Sequence, residues 1–212
     1  MPLAKASGTG EPASVSPAPQ AYLCFGPDEA SFVETLVNVL SPADELTPSG
    51  VDCGLACFID RQLAGAYGKG ERLYRRGPWR TGIPEDGYQL PLTPEQYFKA
   101  GLKDANEVCV RQFGRNFSEL TPDEADAFLH ALSAGKLSDA KIKLADWFND
   151  LVYPLFVQGC FADPIYGGNR DKVFWKMIGY PGLPAVNGLN MVKYRGKPFP
   201  PAATPKSIED FS

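Results

Sequence analysis

The chain has 212 residues, 44% hydrophobic and 22% charged, which is ordinary globular composition and enough for one sizeable core with tails. A net charge of -4 gives no electrostatic reason to expect nucleic acid or an anionic membrane as partner. No run of about 18 apolar residues occurs, so no membrane-spanning helix is expected.

Residues 1–24 open the chain, and the first twenty, MPLAKASGTGEPASVSPAPQ, are rich in Ala, Pro, Ser and Gly. They have neither an apolar core nor a twin arginine and read as a disordered or processed leader. In DEASFVETLVNVL the residues Phe32, Val33, Leu36, Val37 and Leu40 fall on one helical stripe, predicting a first helix over 28–40. Val51, Leu55, Phe58, Ile59 and Leu63 repeat that spacing in a second, broken by Gly65, Gly68 and Gly70. From Gly70 to Leu92 the chain is irregular, with Pro78, Pro84 and Pro91 among Tyr74, Trp79 and Tyr88. Loops of that length in a small domain are functional or packed against something. The cluster Arg72, Arg75, Arg76 and Arg80 beside Trp79 reads as a solvated or partner-facing patch.

Two further helices are announced by their caps. Thr93-Pro94-Glu95-Gln96 and Thr121-Pro122-Asp123-Glu124 each place Thr at the N-cap, Pro at the first helical position and an acceptor two residues on. A fifth helix is predicted over about 141–157, with Pro154 as a kink or last turn. A short sixth spans 170–178, capped by Asn169, with Asp171 near its positive end and Gly179 as its stop. With no alternating apolar segment in sight, the fold class is all-α: an irregular single-domain bundle of about five or six helices over 25–190. Long loops join the helices, and residues 191–212 are expected as an extended, proline-rich tail.

Chemistry finds little purchase. Gly65, Gly68 and Gly70 follow a helix at the wrong spacing for a dinucleotide turn, and His130 is not in a C-x-x-C-H haem motif. The carboxylate pairs Asp44/Glu45, Glu85/Asp86 and Asp123/Glu124 lie at loops or helix starts and read as caps. Five cysteines are an odd number. Cys53 and Cys57 share a helix-face spacing, and Cys53, Cys57, Cys109 and Cys160 read as buried thiols or as disulfide candidates in an oxidising compartment. The most distinctive stretch is FADPIYGGNRDKVFWKMIGYPG at 161–182, dense in glycine and aromatics and free of Cys and His. It argues for recognition more than for catalysis.

Three blocks, SPADELTPSGVDCGLACFIDRQLAGAYGKG at 41–70, RLYRRGPWRTGIPEDGYQLPLTPEQYF at 72–98 and the 161–182 block, closely resemble the gluconate 2-dehydrogenase subunit 3 family, in the family's order. The resemblance runs from about residue 25 to 185. It implies a small subunit, itself without cofactor, of a membrane-associated periplasmic dehydrogenase that oxidises sugars, sugar acids or polyols. A large flavoprotein subunit would carry FAD and the active site, and a multi-haem cytochrome c subunit would pass electrons toward quinone. Export and maturation of the large subunit are implied roles, and the periplasmic location is likewise an implication of family. On this reading the contact surface comprises Tyr74, Trp79, Tyr88, Phe161, Asp163, Tyr166, Asn169, Arg170 and Trp175. The alternative is a free-standing sugar-binding or hydrolytic domain using Asp163, Asn169, Arg170 and Asp171.

Overall fold

The computed structural model describes residues 21–80, 82–83, 86–137, 140–184 and 186–212. The expectations for residues 1–20, Pro84 and Glu85 lie outside them. Among the described residues the fold is helical with no strand, and a single isolated parallel bridge joins Gly182 to Lys206.

Helix α1 (Pro27–Leu40) buries Phe32, Val33, Leu36 and Val37, the face its periodicity predicted. The second helix starts later than expected. Val51 sits in a turn, Gly54 adopts a left-handed conformation, and α2 runs Leu55–Ala64, followed by the single turn α3 (Ala66–Lys69). Helix α4 (Pro94–Phe113) begins at a closed capping box: Thr93 Oγ1 accepts from the Gln96 amide, and Gln96 Oε1 accepts from the Thr93 amide. Thr121 and Glu124 form the same device at the start of α5 (Pro122–Ser133).

The predicted fifth helix is displaced toward the C-terminus and does not end at Pro154. It comprises α6 (Leu144–Trp147), a wide π-type turn (Phe148–Val152) and α7 (Tyr153–Phe161). Within that turn the Tyr153 amide donates to the Phe148 carbonyl five residues back. The slackened spiral admits the proline ring, which in a regular helix would collide with the carbonyl four residues earlier.

The core is aromatic at its centre. Phe117 lies 4.5 Å from Phe32 and 5.6 Å from Phe128 between ring centroids. Trp147 is fully buried, its indole N–H donating to the Phe98 carbonyl at 3.2 Å. Gly101 makes room for that indole, since a β-carbon there would collide with the ring. Two aspartates share the interior. Asp60 in α2 accepts from three successive amides, Leu23, Cys24 and Phe25, at 2.7 to 2.9 Å. Asp104 in α4 accepts from Lys141 and Ile142 through Oδ2, while its Oδ1 has no hydrogen-bond partner among the described residues.

The expected 170–178 helix is shorter. Asn169, Asp171 and Lys172 all take positive φ, so residues 169–172 form a tight left-handed turn and α8 spans only Val173–Ile178. Asp171 therefore lies near the N-terminal end of α8, as expected, but in the turn ahead of it and not inside the helix. The tail departs from a fully extended course. It starts inside α9 (Gly188–Lys193), which straddles the expected boundary, continues through two short 3-10 turns, Pro200–Ala203 and Ile208–Phe211, and returns to the 161–182 block. There Leu183 donates to the Lys206 carbonyl, Ile208 to Asp163, and Lys172 pairs with Asp210.

Candidate partner interface

The 161–182 block is seated on α2 through glycines. A β-carbon on Gly54 would overlap the Gly167 carbonyl oxygen, and one on Gly168 would press on the Gly159 carbonyl and on Phe58. Only backbone fits in this seam. Asn169 is fully buried at the turn's centre: Nδ2 donates to the Ala162 carbonyl at 3.1 Å and Oδ1 accepts from the Phe174 amide at 3.0 Å, capping α8 from a distance. Asp163 accepts from Ile165 through one oxygen and from Ile208 in the tail through the other. Arg170 donates from its amide to Cys53 and from its guanidinium to the Asp52 carbonyl, both at 3.0 Å.

Trp175, expected at the contact surface, is 5% exposed, with its indole N–H on the Phe161 carbonyl at 2.8 Å and Tyr180 edge-on at 5.1 Å. The structure thus turns Trp175 and Asn169 inward and corrects both as surface contacts. Short helices beside glycine turns have little other core to cover, so their largest side chains pack against their own scaffold. Asp163 also spends both carboxylate oxygens, and Arg170 one guanidinium nitrogen, on this chain's backbone. A sugar site built from them, the alternative reading, would have to break those bonds first.

What remains outward is narrower. Phe161 and Tyr166 are exposed and, with Phe58, Gln62, Gln158 and Ala162, line an open groove of about 450 Å³. Tyr74, at 82% exposure, and Trp79 project from the 71–80 loop, where Arg72, Arg75, Arg76 and Arg80 are all exposed. Tyr88 is half-buried instead, stacked on Tyr97 at 4.3 Å, so it anchors the loop more than it advertises it.

One carboxylate of each pair acts as a cap: Asp44, Asp86, which accepts from the Ile83 amide, and Glu124 at the start of α5. Asp44 accepts from the Leu46 and Thr47 amides, which hold its carboxyl below the usual range, the Thr47 amide chief among them. No disulfide joins the candidates Cys53, Cys57, Cys109 and Cys160. Burial pushes the Cys160 thiol up to about 12 and those of Cys53 and Cys109 to about 11. Among the described residues there is no group of three or more His, Cys, Asp or Glu side chains able to hold a metal, and no helix is long and apolar enough to cross a membrane.

Two features escaped the sequence reading. Asp60 shares the buried face of α2 with Ala56, Ile59 and Leu63, and a charge inside an apolar stripe was its signal. The other is the apolar run around Leu189 in α9, a helix that none of the predicted elements covered.

Comparisons with curated proteins and with solved structures give no match. A family model described as gluconate 2-dehydrogenase subunit 3 matches residues 27–182, from the first residue of α1 to the glycine that closes the block seated on α2. By that match over most of its length, the chain belongs to the gluconate 2-dehydrogenase subunit 3 family and is a subunit of a dehydrogenase complex.

Proposed function

We propose that the chain is the non-catalytic small subunit of a membrane-bound, FAD-dependent, cytochrome c-containing dehydrogenase that oxidises gluconate or a related sugar acid or polyol. In this reading FAD and haem c belong to the partner subunits. This chain stabilises the large flavoprotein and assists its maturation and export to the periplasm.

The observation that carries the proposal is the aromatic and basic surface left uncovered by a chain whose own core is filled. The 71–80 loop holds out Tyr74 and Trp79 among four exposed arginines, and the groove of Phe161 and Tyr166 stays open. Aromatics and arginine are the residue types that dominate binding energy in protein interfaces. A stable interface of standard size buries roughly 1,600 Å² in total, and permanent subunits bury more. One loop and one groove supply the anchors of such a contact.

The test is to express the flavoprotein subunit with and without this chain. The expected result is a loss of most soluble, flavin-loaded enzyme when the chain is omitted. Equal yields of flavin-loaded enzyme in both cultures would overturn the proposal.

A further inference from the structure

The greatest exposure of aliphatic side chains lies outside both surfaces above, on the arm that carries α9. Val186, Leu189, Met191 and Val192 are 85%, 89%, 74% and 79% exposed. The polar Asn187 and Asn190 of the same arm are the half-buried ones, hydrogen-bonded to each other at 3.2 Å. Helix α9 is therefore inside out, with its apolar side chains in water. Just before it, Leu183 and Pro184 join Ile208 and Phe211 in an apolar groove of about 550 Å³. Apolar surface gathered in this way on a folded chain marks a site that something else covers.

The charge pattern says what covers it. Residues 186–197 include Lys193, Arg195 and Lys197 and no acidic residue, although the chain as a whole is at -4. A second copy of this chain fits poorly, because a two-fold contact would set the same basic segment against itself. A lipid surface fits poorly too. The apolar groove of Leu183, Pro184, Ile208 and Phe211 beside the helix is concave where a bilayer face is flat, and six helical residues span only about 9 Å. An apolar groove with an acidic rim on a protein partner satisfies both the side chains and the charge.

We propose that this arm is a docking helix, seating Leu189, Met191 and Val192 in an acid-rimmed apolar groove of the flavoprotein subunit. The proposal rests on the subunit reading above and adds a contact that reading does not contain. Tyr194, just past the last residue of α9, packs edge-on against Phe199 at 5.1 Å and ties the end of the helix to the chain that follows.

The experiment co-expresses the tagged flavoprotein subunit with the full chain, either wild type or carrying Leu189→Asp with Val192→Asp. The double variant should lower the recovered complex at least about tenfold, the size expected when central interface anchors are lost. The purified variant should keep the helical circular dichroism and melting temperature of wild type, because the replaced side chains face water. A second variant, Lys193→Glu with Lys197→Glu, should slow association and weaken its dependence on salt. Undiminished assembly of the aspartate variant overturns the arm and leaves the subunit reading standing. Failure of the wild-type chain to bind the flavoprotein overturns both. The arm proposal also falls if the aspartate variant abolishes self-association in sedimentation, or binding to phosphatidylserine-containing vesicles, while the complex still assembles.

Discussion

Asp60 is the residue on which the entry of the chain into the fold depends. Its two oxygens take the amides of Leu23, Cys24 and Phe25, and the Phe25 amide, buried in the core, would otherwise be left unpaired. Removing a buried acceptor strands its donors at about 1–3 kcal/mol each when water cannot reach them. Asp60→Ala should therefore destabilise the domain by roughly 3 kcal/mol in urea unfolding. Asp60→Asn keeps one acceptor oxygen and should cost clearly less. The sequence displayed the charge within the stripe but not its partners, which lie 35 to 37 residues away. Local chemistry fared better: the caps at Thr93 and Thr121 join residues three apart, a distance at which sequence alone decides who can meet whom.

Among the elements, the crossing of α4 with α6 is set by one missing side chain. Gly101 faces the Trp147 indole so closely that Gly101→Ala must either displace the ring or part the helices. Alanine favours a helix interior by about 1 kcal/mol over glycine, whereas overpacking a filled core costs about 1–3 kcal/mol. Loss of the Trp147 bond to the Phe98 carbonyl adds to that cost. Gly101→Ala should therefore be net destabilising in denaturant, with a shift in tryptophan emission as Trp147 is displaced. Nothing in the heptad of residues around position 101 announces this, because the demand comes from a helix more than forty residues further on. The extension of α7 past Pro154 has a similar origin. Propensity argues for a stop, and the buried packing of Leu151, Val152, Leu155 and Phe156 outweighs it by widening one turn.

At the scale of the whole molecule the C-terminal residues are a clasp. Lys172 pairs with Asp210, which also accepts from the Ser207 amide at 2.7 Å, while Asp163 takes the Ile208 amide. The bond to Lys172 first, and then the Ser207 amide, hold the Asp210 carboxyl well below the usual carboxylate range. A carboxyl depressed in the folded state contributes its stability above the unfolded value, about 3.9, and loses it as pH falls through the lower folded value. The clasp should thus be closed at neutral pH and open only in strong acid. An NMR titration of the Asp210 carboxyl carbon should show a midpoint well below that of an unfolded aspartate. Asp210→Asn should speed tryptic cleavage after Lys206 at pH 7.5, and unchanged cleavage would sink the clasp.

The sequence by itself determined the helical class, the face of α1, the capped starts of α4 and α5, the absence of a dinucleotide or haem motif, and the three blocks that mark the family. All of these rest on spacings within a few residues, or on residue types whose chemistry is local. Only the tertiary structure decided which aromatics of the 161–182 block face outward, that Asn169 and Asp163 are scaffold, and that the tail returns while α9 turns its apolar side out. Those outcomes depend on backbone seams such as Gly54 against Gly167 and on partners scores of residues apart. A one-dimensional pattern records which side chains seek cover, but the direction in which cover lies is fixed only when distant segments meet.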